Sequence, residues 1–179
     1  GSCAAVLAAG CASPPAPPPP PSPAVTASAE TDPVASLEDA ADDPAIWVHP
    51  DDPALSLILG TDKQAGLNVY RLDGKLVSFL PSGQVNNVDL RQQVSFGGFA
   101  GDIAAASNRS DNSVTLYTIA PDGAVAEAGR FASAIVEPYG FCLGLPGGVL
   151  TAFVTHKTGE VVAYALLDFS TARETARIK

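Results

Sequence analysis

The sequence predicts an all-β fold built from repeated hairpins, and three observations support this prediction. Three segments share one pattern, in which a short apolar strand ends in a polar turn and the next strand carries a tyrosine. A cation occupies the same point of each turn, and the cations are spaced 46 and then 48 residues apart. Glycine, proline and aspartate mark turns elsewhere, whereas no segment before residue 171 has convincing helical periodicity. A hairpin repeat of this length is typical of β-propeller blades.

The predicted elements run from Asp39 to the end of the chain. A strand at 45–50 is expected to stop at Pro50. The three hairpins occupy 57–74, 103–123 and 152–168, with further turns at 72–75, 97–102, 121–123 and 145–150. The tail at 171–179 is expected to be frayed or an incomplete strand. Because a closed propeller needs about four to eight blades, we expect about three blades here, in an open fragment of a longer protein.

The first 37 residues are predicted to lie outside the blades. Residues 1–11 resemble a truncated lipoprotein-type signal, whose Leu7–Cys11 run is similar to a lipobox with a lipidated cysteine. The alternative is an alanine-rich stretch that happens to contain Cys11. Residues 12–37 are rich in proline and alanine, which predicts a disordered linker before a partial propeller at 38–179. These features predict an exported protein: an outer-membrane or cell-surface lipoprotein, or a periplasmic or secreted protein.

Composition and missing motifs exclude several function classes. The net charge of −9 argues against nucleic-acid binding. The chain has no G-x-S-x-G elbow for serine catalysis. His49 and His156 have no partner at zinc spacing, and are expected to be a strand-end residue and a turn neighbour. Of three cysteines, Cys142 alone lies in the predicted domain, where we expect a small hydrophobe in a strand.

The repeated cations Lys63, Arg109 and Lys157 are the first candidate site. Blades are related by rotation about one axis, so equivalent turns converge at one end of the molecule. Three cations there would form a cradle for a highly charged anion. The alternative is that each is an ordinary solvated residue of a hairpin turn.

Two polar motifs are the second candidate site. The segment 39–47, DAADDPAIW, combines carboxylates with turn carbonyls, oxygen ligands that Ca2+ accepts, although it lacks EF-hand spacing. Its alternative is a solvated acidic linker. The segment 86–91, NNVDLR, holds poor strand formers, which indicates either an Asx turn or a polar role.

Together these motifs resemble the β-propeller phytases, calcium-dependent phosphatases that act on phytate (myo-inositol hexakisphosphate). The resemblance covers about Asp39 to Leu167, and its matching segments are 39–47, 86–92, 102–117, 137–143 and 152–161. It implies a six-bladed propeller in the complete protein, of which this chain supplies roughly the N-terminal half. It also implies a monomer that binds phytate or other inositol phosphates and touches the membrane only through a lipid anchor at Cys11.

The resemblance further implies roles for individual residues. The residues that match the family's phosphate-binding and active-site positions are Lys63, Arg109, Lys157 and Tyr139. The residues that match its calcium-binding segments are Asp43, Pro44, Asn87 and Val88. The chain departs from the family at Gln64, where some members have a second basic residue, and at Gly144-Leu145, where an aromatic-rich continuation is absent.

The activity implied is calcium-dependent hydrolysis of phytate phosphomonoesters by a 3-phytase-like enzyme, with the fragment itself expected to be inactive. Such hydrolysis needs charge neutralised on the phosphoryl oxygens and an activated water, which metal ions supply without a covalent nucleophile. The alternative is a tethered propeller that binds inositol phosphates or another surface partner without catalysis.

Overall fold

The described part of the chain forms three four-stranded antiparallel sheets that follow one another in sequence. The structure is a computed structural model and describes residues 22 and 24–179. The first sheet contains β1 (Ala41–Trp47), β2 (Leu57–Asp62), β3 (Gly66–Arg71) and β4 (Leu76–Leu80). The second contains β5 (Val85–Phe96), β6 (Phe99–Asn108), β7 (Ser113–Ile119) and β8 (Val125–Ala132). The third contains β9 (Pro138–Gly144), β10 (Thr151–His156), β11 (Val161–Leu166) and β12 (Ala172–Ile178). Short 3-10 turns lie at Pro53–Leu55 and Pro146–Gly148.

The sheets are arranged as propeller blades, with the first strand of each on the inner side. Strand β5 contacts β1 of the sheet before it and β9 of the sheet after it. The fourth strands β4 and β12 are mostly exposed, as expected at an outer edge. The prediction of an all-β protein with three open blades is therefore confirmed.

The middle sheet is buried on both faces, which explains the alanine-rich sequence of β6. Ile103 and Ala105 pack in the core shared with the third sheet, while Ala104 and Ala106 pack in the core shared with the first. Successive side chains of a strand point to opposite faces. Each of the four is fully buried, so small side chains allow the neighbouring blades to approach on either side.

The first and last strands differ from the prediction. Strand β1 covers Ala41–Trp47 and not 45–50, because the ladder to β2 is irregular between Ala41 and Pro44, where a proline can be tolerated. The tail forms a strand, since Ala172–Ile178 pairs along β11 with one irregularity between Ala163 and Tyr164.

Two local predictions also need correction. Asn86 and Asn87 lie within β5, so the Asx-turn interpretation is wrong. Cys142 lies in β9 as predicted, but it is exposed and does not serve as a core hydrophobe.

The segment before β1 lies against the first sheet. The Asp32 backbone N–H donates to the Gly74 carbonyl at 2.7 Å, and the Asp32 carboxylate accepts from the Leu76 N–H at 3.0 Å. The Ser36 N–H donates to Asp62 Oδ2 at 3.2 Å. The predicted signal at 1–11, with Cys11, and the start of the predicted linker lie outside the described residues. Within the described residues, no helix has the length and hydropathy needed to cross a membrane.

Candidate functional site

The turns that carry Lys63, Arg109 and Lys157, called here the three cation turns, are structurally equivalent. Each joins the second and third strands of its sheet. In each, the backbone N–H of the cation donates to a carbonyl just before the first strand of that sheet. The three acceptors are Ala40 at 2.9 Å, Gln84 at 3.0 Å and Glu137 at 3.4 Å. The repeated register seen in the sequence therefore corresponds to one repeated backbone position.

The four residues Lys63, Arg109, Lys157 and Tyr139 lie at the same end of the sheets. Arg109 Nη2 donates to the Lys63 carbonyl at 3.2 Å, which links the first two cation turns. The Lys157 ammonium lies 5.5 Å from the centroid of the Tyr139 ring. The hydrogen bond with Asp39 raises the pKa of Lys63 above its ordinary value. Tyr139 thus lies beside the third cation turn.

Carboxylates partly neutralise two of these cations. Lys63 Nζ lies 2.8 Å from Asp39 Oδ2 and 3.8 Å from Asp42 Oδ1. Lys157 Nζ lies 3.6 Å from Glu137 Oε1. The side chains of Asp39 and Glu137 are 89% and 59% exposed, so either can move away when an anion arrives.

Arg109 differs from the two lysines. It makes no ion pair within the described residues, and its Nε is buried without a hydrogen-bond partner there. A guanidinium that no carboxylate neutralises can bind a phosphate through two oxygens at once. Among the three cations, Arg109 is therefore the best prepared for an anion.

The predicted calcium ligands occupy equivalent positions in the first two blades. Pro44 pairs with Gly60 in the first sheet, and Val88 pairs with Ala106 in the second. Gly60 and Ala106 each lie three residues before the cation of their turn. Asp43 Oδ2 accepts the Val88 N–H at 3.0 Å, which brings the two segments together.

The donor set of these segments suits a hard cation only in part. Asp43 offers a carboxylate, Asn87 a side-chain oxygen, and the buried Asn86 Oδ1 has no hydrogen-bond partner within the described residues. Ca2+ accepts carboxylate, amide and backbone oxygens. Within residues 22 and 24–179, however, no group of three or more His, Cys, Asp or Glu could hold a metal. These residues fit as part of a calcium site and do not complete one.

Comparison with known proteins assigns the chain to a family. A sequence profile of the family described as Phytase matches residues 19–176. The chain belongs to the phytase family. It is 46% identical over 156 residues to the 3-phytase of Bacillus subtilis (strain 168), a match that covers 80% of this chain and 40% of the relative. The chain therefore spans about two fifths of the length of this curated phytase.

Two solved structures match part of the chain. The periplasmic gluconolactonase of Pseudomonas aeruginosa is 17% identical, with a TM-score of 0.50 over 74% of this chain and 38% of that one. A crystal structure of a protein from Lactobacillus plantarum is 14% identical, with a TM-score of 0.49 over 77% of this chain and 41% of that one. The likeness to the gluconolactonase supports the fold alone.

Three hydroxyl residues, one in each blade, also shape the site and were not predicted from the sequence. In each blade, a hydroxyl two residues before the cation accepts a backbone N–H from an irregular point of the inner strand. These pairs are Thr61 with Asp43 at 2.9 Å, Ser107 with Asn87 at 3.3 Å and Thr155 with Gly140 at 2.9 Å. A Ser or Thr two residues before each repeated cation was the signal that could have revealed them.

One of these hydroxyls also fixes the tyrosine. The Ser107 hydroxyl donates to the Tyr139 carbonyl at 2.6 Å, which joins β6 to the start of β9. The Tyr139 side chain remains 43% exposed. The backbone of Tyr139 is therefore held while its ring stays open to a ligand.

Proposed function

We propose that this chain is part of a calcium-dependent phytase, which hydrolyses phosphomonoesters of phytate or other inositol phosphates. The observation that carries the proposal is the placement of the three cation turns at one end of consecutive blades, with Arg109 bound to the Lys63 turn and Lys157 beside Tyr139, in a chain of the phytase family. Phytate carries several phosphates, and cations supplied by neighbouring blades suit an anion of that size and charge.

Each cation has a distinct part in substrate binding. Arg109 would hold two oxygens of one phosphate, since its guanidinium, unlike the two lysines, forms no ion pair within the described residues. Lys63 and Lys157 would exchange Asp39 and Glu137 for phosphate oxygens. The Tyr139 hydroxyl would donate to a further oxygen. Because backbone hydrogen bonds hold the three cation turns before the substrate arrives, the donors can stabilise charge that develops on the phosphoryl group.

Calcium would be held in this chain by the Asp43 carboxylate, the Asn87 side chain and the carbonyls of Pro44 and Val88. Bound calcium would neutralise phosphate charge and lower the pKa of a bound water. The single carboxylate in this set indicates that further ligands are needed for a complete site.

The test measures phosphate release from phytate by the full-length protein near neutral pH. We expect activity with added Ca2+, loss of activity in excess chelator, and recovery when Ca2+ and not Mg2+ is restored. Full activity in chelator, with calcium absent by elemental analysis, would contradict calcium dependence. No phosphate release under any metal condition would contradict the enzyme assignment.

A second candidate is a propeller that binds inositol phosphates without hydrolysing them. The observation that favours it is that the described residues supply many cationic donors and no metal-binding cluster. The two candidates are separated by calorimetry with phytate in the same protein. Binding that persists in chelator without phosphate release would favour the binding module.

We also propose that the protein is exported and tethered through Cys11. The support is the lipobox-like run Leu7–Cys11 and the proline-rich residues that follow it. Metabolic labelling with a radioactive fatty acid should mark the full-length protein and leave a Cys11→Ala variant unmarked. Equal labelling of both would exclude this anchor.

A further inference from the structure

His156 takes a position that the other two blades give to a different kind of residue. It ends β10 directly before Lys157, as Asp62 and Asn108 end β2 and β6 before their cations. Asp62 Oδ1 accepts the Gln64 N–H at 3.1 Å, and Asn108 Oδ1 accepts the Ser110 N–H at 3.0 Å. In both blades, a side-chain oxygen therefore bonds to the backbone of its own turn. His156 has no such side-chain oxygen: its backbone closes the turn, accepting the Gly159 N–H and donating to the Glu160 carbonyl, both at 2.9 Å, and its ring is left for other contacts.

The His156 ring ties the third cation turn to the segment that links the second and third blades. His156 Nε2 lies 2.8 Å from the Ser133 hydroxyl, which in turn lies 3.3 Å from the Tyr164 hydroxyl. The Tyr164 hydroxyl accepts the Ala134 N–H at 2.9 Å. The same linking segment supplies the Glu137 carbonyl that accepts the Lys157 N–H. The segment that links the second and third blades therefore contacts both the His156 ring and the backbone of the third cation turn.

The ring is poorly placed to carry a proton on both nitrogens. His156 is 4% exposed, and its Nδ1 is buried without a hydrogen-bond partner within the described residues. A protonated ring would place a positive charge in this buried site, which is costly for a group removed from water. Burial lowers the pKa of His156 below its ordinary value; Glu160 on the turn opposes this shift, while Arg177 on β12 adds to it.

We propose that His156 is a pH-sensitive positioning residue, whose neutral ring holds the Lys157 turn and whose protonation releases it. The consequence for substrate binding rests on the proposed function, whereas release of the turn does not. A base whose pKa is lower in the folded state destabilises that state as it becomes protonated. Stability should therefore fall as the pH drops from the ordinary value of 6.5 towards the lowered pKa, and level off below it.

The first test follows the His156 ring and the backbone amides of Lys157 and Gly159 by NMR as the full-length protein is titrated. We expect the amides to shift with the same midpoint as the His156 ring. A His156→Asn variant copies the residue that the second blade uses, and its amides should lose this transition. His49→Asn changes the other histidine and should keep the transition. A His156 ring that titrates without any change at Lys157 would overturn the proposal.

The second test measures affinity for inositol hexakisphosphate without calcium. As the pH is lowered from about 7.5 through the midpoint that the His156 ring shows in the first test, the wild type should lose roughly fivefold more affinity than His156→Asn, on the scale of one lost charged contact. The comparison removes the ligand's own titration, which is common to both proteins. Equal losses in the two proteins would overturn the proposal. If the variant fails to fold, the wild-type amide titration alone decides. Absence of phytate hydrolysis with the amide transition present would count against the proposed function only.

Discussion

Arg109 Nη2 donates a hydrogen bond across the blade boundary to the backbone carbonyl of Lys63, 3.2 Å away. One cation of the candidate site therefore braces the turn that presents another. Because this bond uses only one edge of the guanidinium, the buried Nε remains without a protein partner in the described chain. Arg109 thus combines a structural contact with a guanidinium that no carboxylate within the described residues neutralises, which neither lysine does.

Replacing Arg109 with lysine should lower kcat/KM for phytate by roughly tenfold or more, on the scale of one lost charge-assisted contact. A lysine ammonium keeps the charge but cannot bridge the Lys63 carbonyl and two phosphate oxygens together. Steady-state kinetics of the full-length protein measure the change. Arg71→Lys is the matched control, because Arg71 is 58% exposed on β3 and pairs with Asp73 away from the site. Equal kinetics for both variants would show Arg109 to be an ordinary surface residue.

Asp39→Asn should strengthen binding of inositol hexakisphosphate in the absence of calcium by about twofold to fivefold, within the range for exposed ion pairs. The Asp39 carboxylate lies 2.8 Å from Lys63 Nζ and competes with a phosphate for it. Calorimetry at low ionic strength measures the change. Asp32→Asn is the control, because it breaks the comparable 2.9 Å pair with Lys75 away from the cation turns. Weaker binding by Asp39→Asn would instead indicate that Asp39 helps to hold the ligand.

The fold and the cation turns could be predicted because both depend on repetition in the sequence. A period of hairpins fixes equivalent backbone positions, so Lys63, Arg109 and Lys157 fall in register once the blades form. The start of β1 could not be predicted, since Pro44 usually stops a strand and is tolerated here only at an irregular point of the ladder.

The side-chain contacts that hold the site together depend on tertiary packing, and no simple pattern in the sequence predicts them. The sequence interpretation treated His156 as a turn neighbour, yet its ring reaches Ser133, on a segment 23 residues earlier. The same holds for Asp43, whose partner is a backbone N–H 45 residues away in the next blade. Which long-range partner a polar side chain finds is decided by how the blades pack, and local propensity does not encode it.

Two substitutions of Asp43 should separate its structural role from its proposed role as a calcium ligand. Asp43→Ala leaves the buried Val88 N–H without its acceptor and should destabilise the full-length protein by about 1–3 kcal/mol. Asp43→Asn keeps an oxygen for that N–H and should cost less than about 1 kcal/mol. Both variants should lose much of the rise in melting temperature that calcium gives. Thermal unfolding with calcium and with chelator measures both effects. A full calcium response in Asp43→Asn would exclude its carboxylate as a ligand.

Trp47 ends β1 at the side away from the cation turns, where it is fully buried and its Nε1 donates to Asp102 Oδ2 at 2.6 Å. Asp102 also accepts from the Gln93 N–H at 2.7 Å, so Trp47→Phe removes one of several bonds to a carboxylate. Chemical denaturation of the full-length protein should show a loss of about 1.5–3 kcal/mol, with KM for phytate unchanged because the cation turns lie at the other end of the sheet. A double-mutant cycle with Asp102→Ala, which removes the acceptor, isolates the bond from the lost ring volume. The two single changes should not add, because Trp47 and Asp102 join the first blade to the second through this contact. Strictly additive effects would show that Trp47 stabilises the blade pair through apolar packing alone.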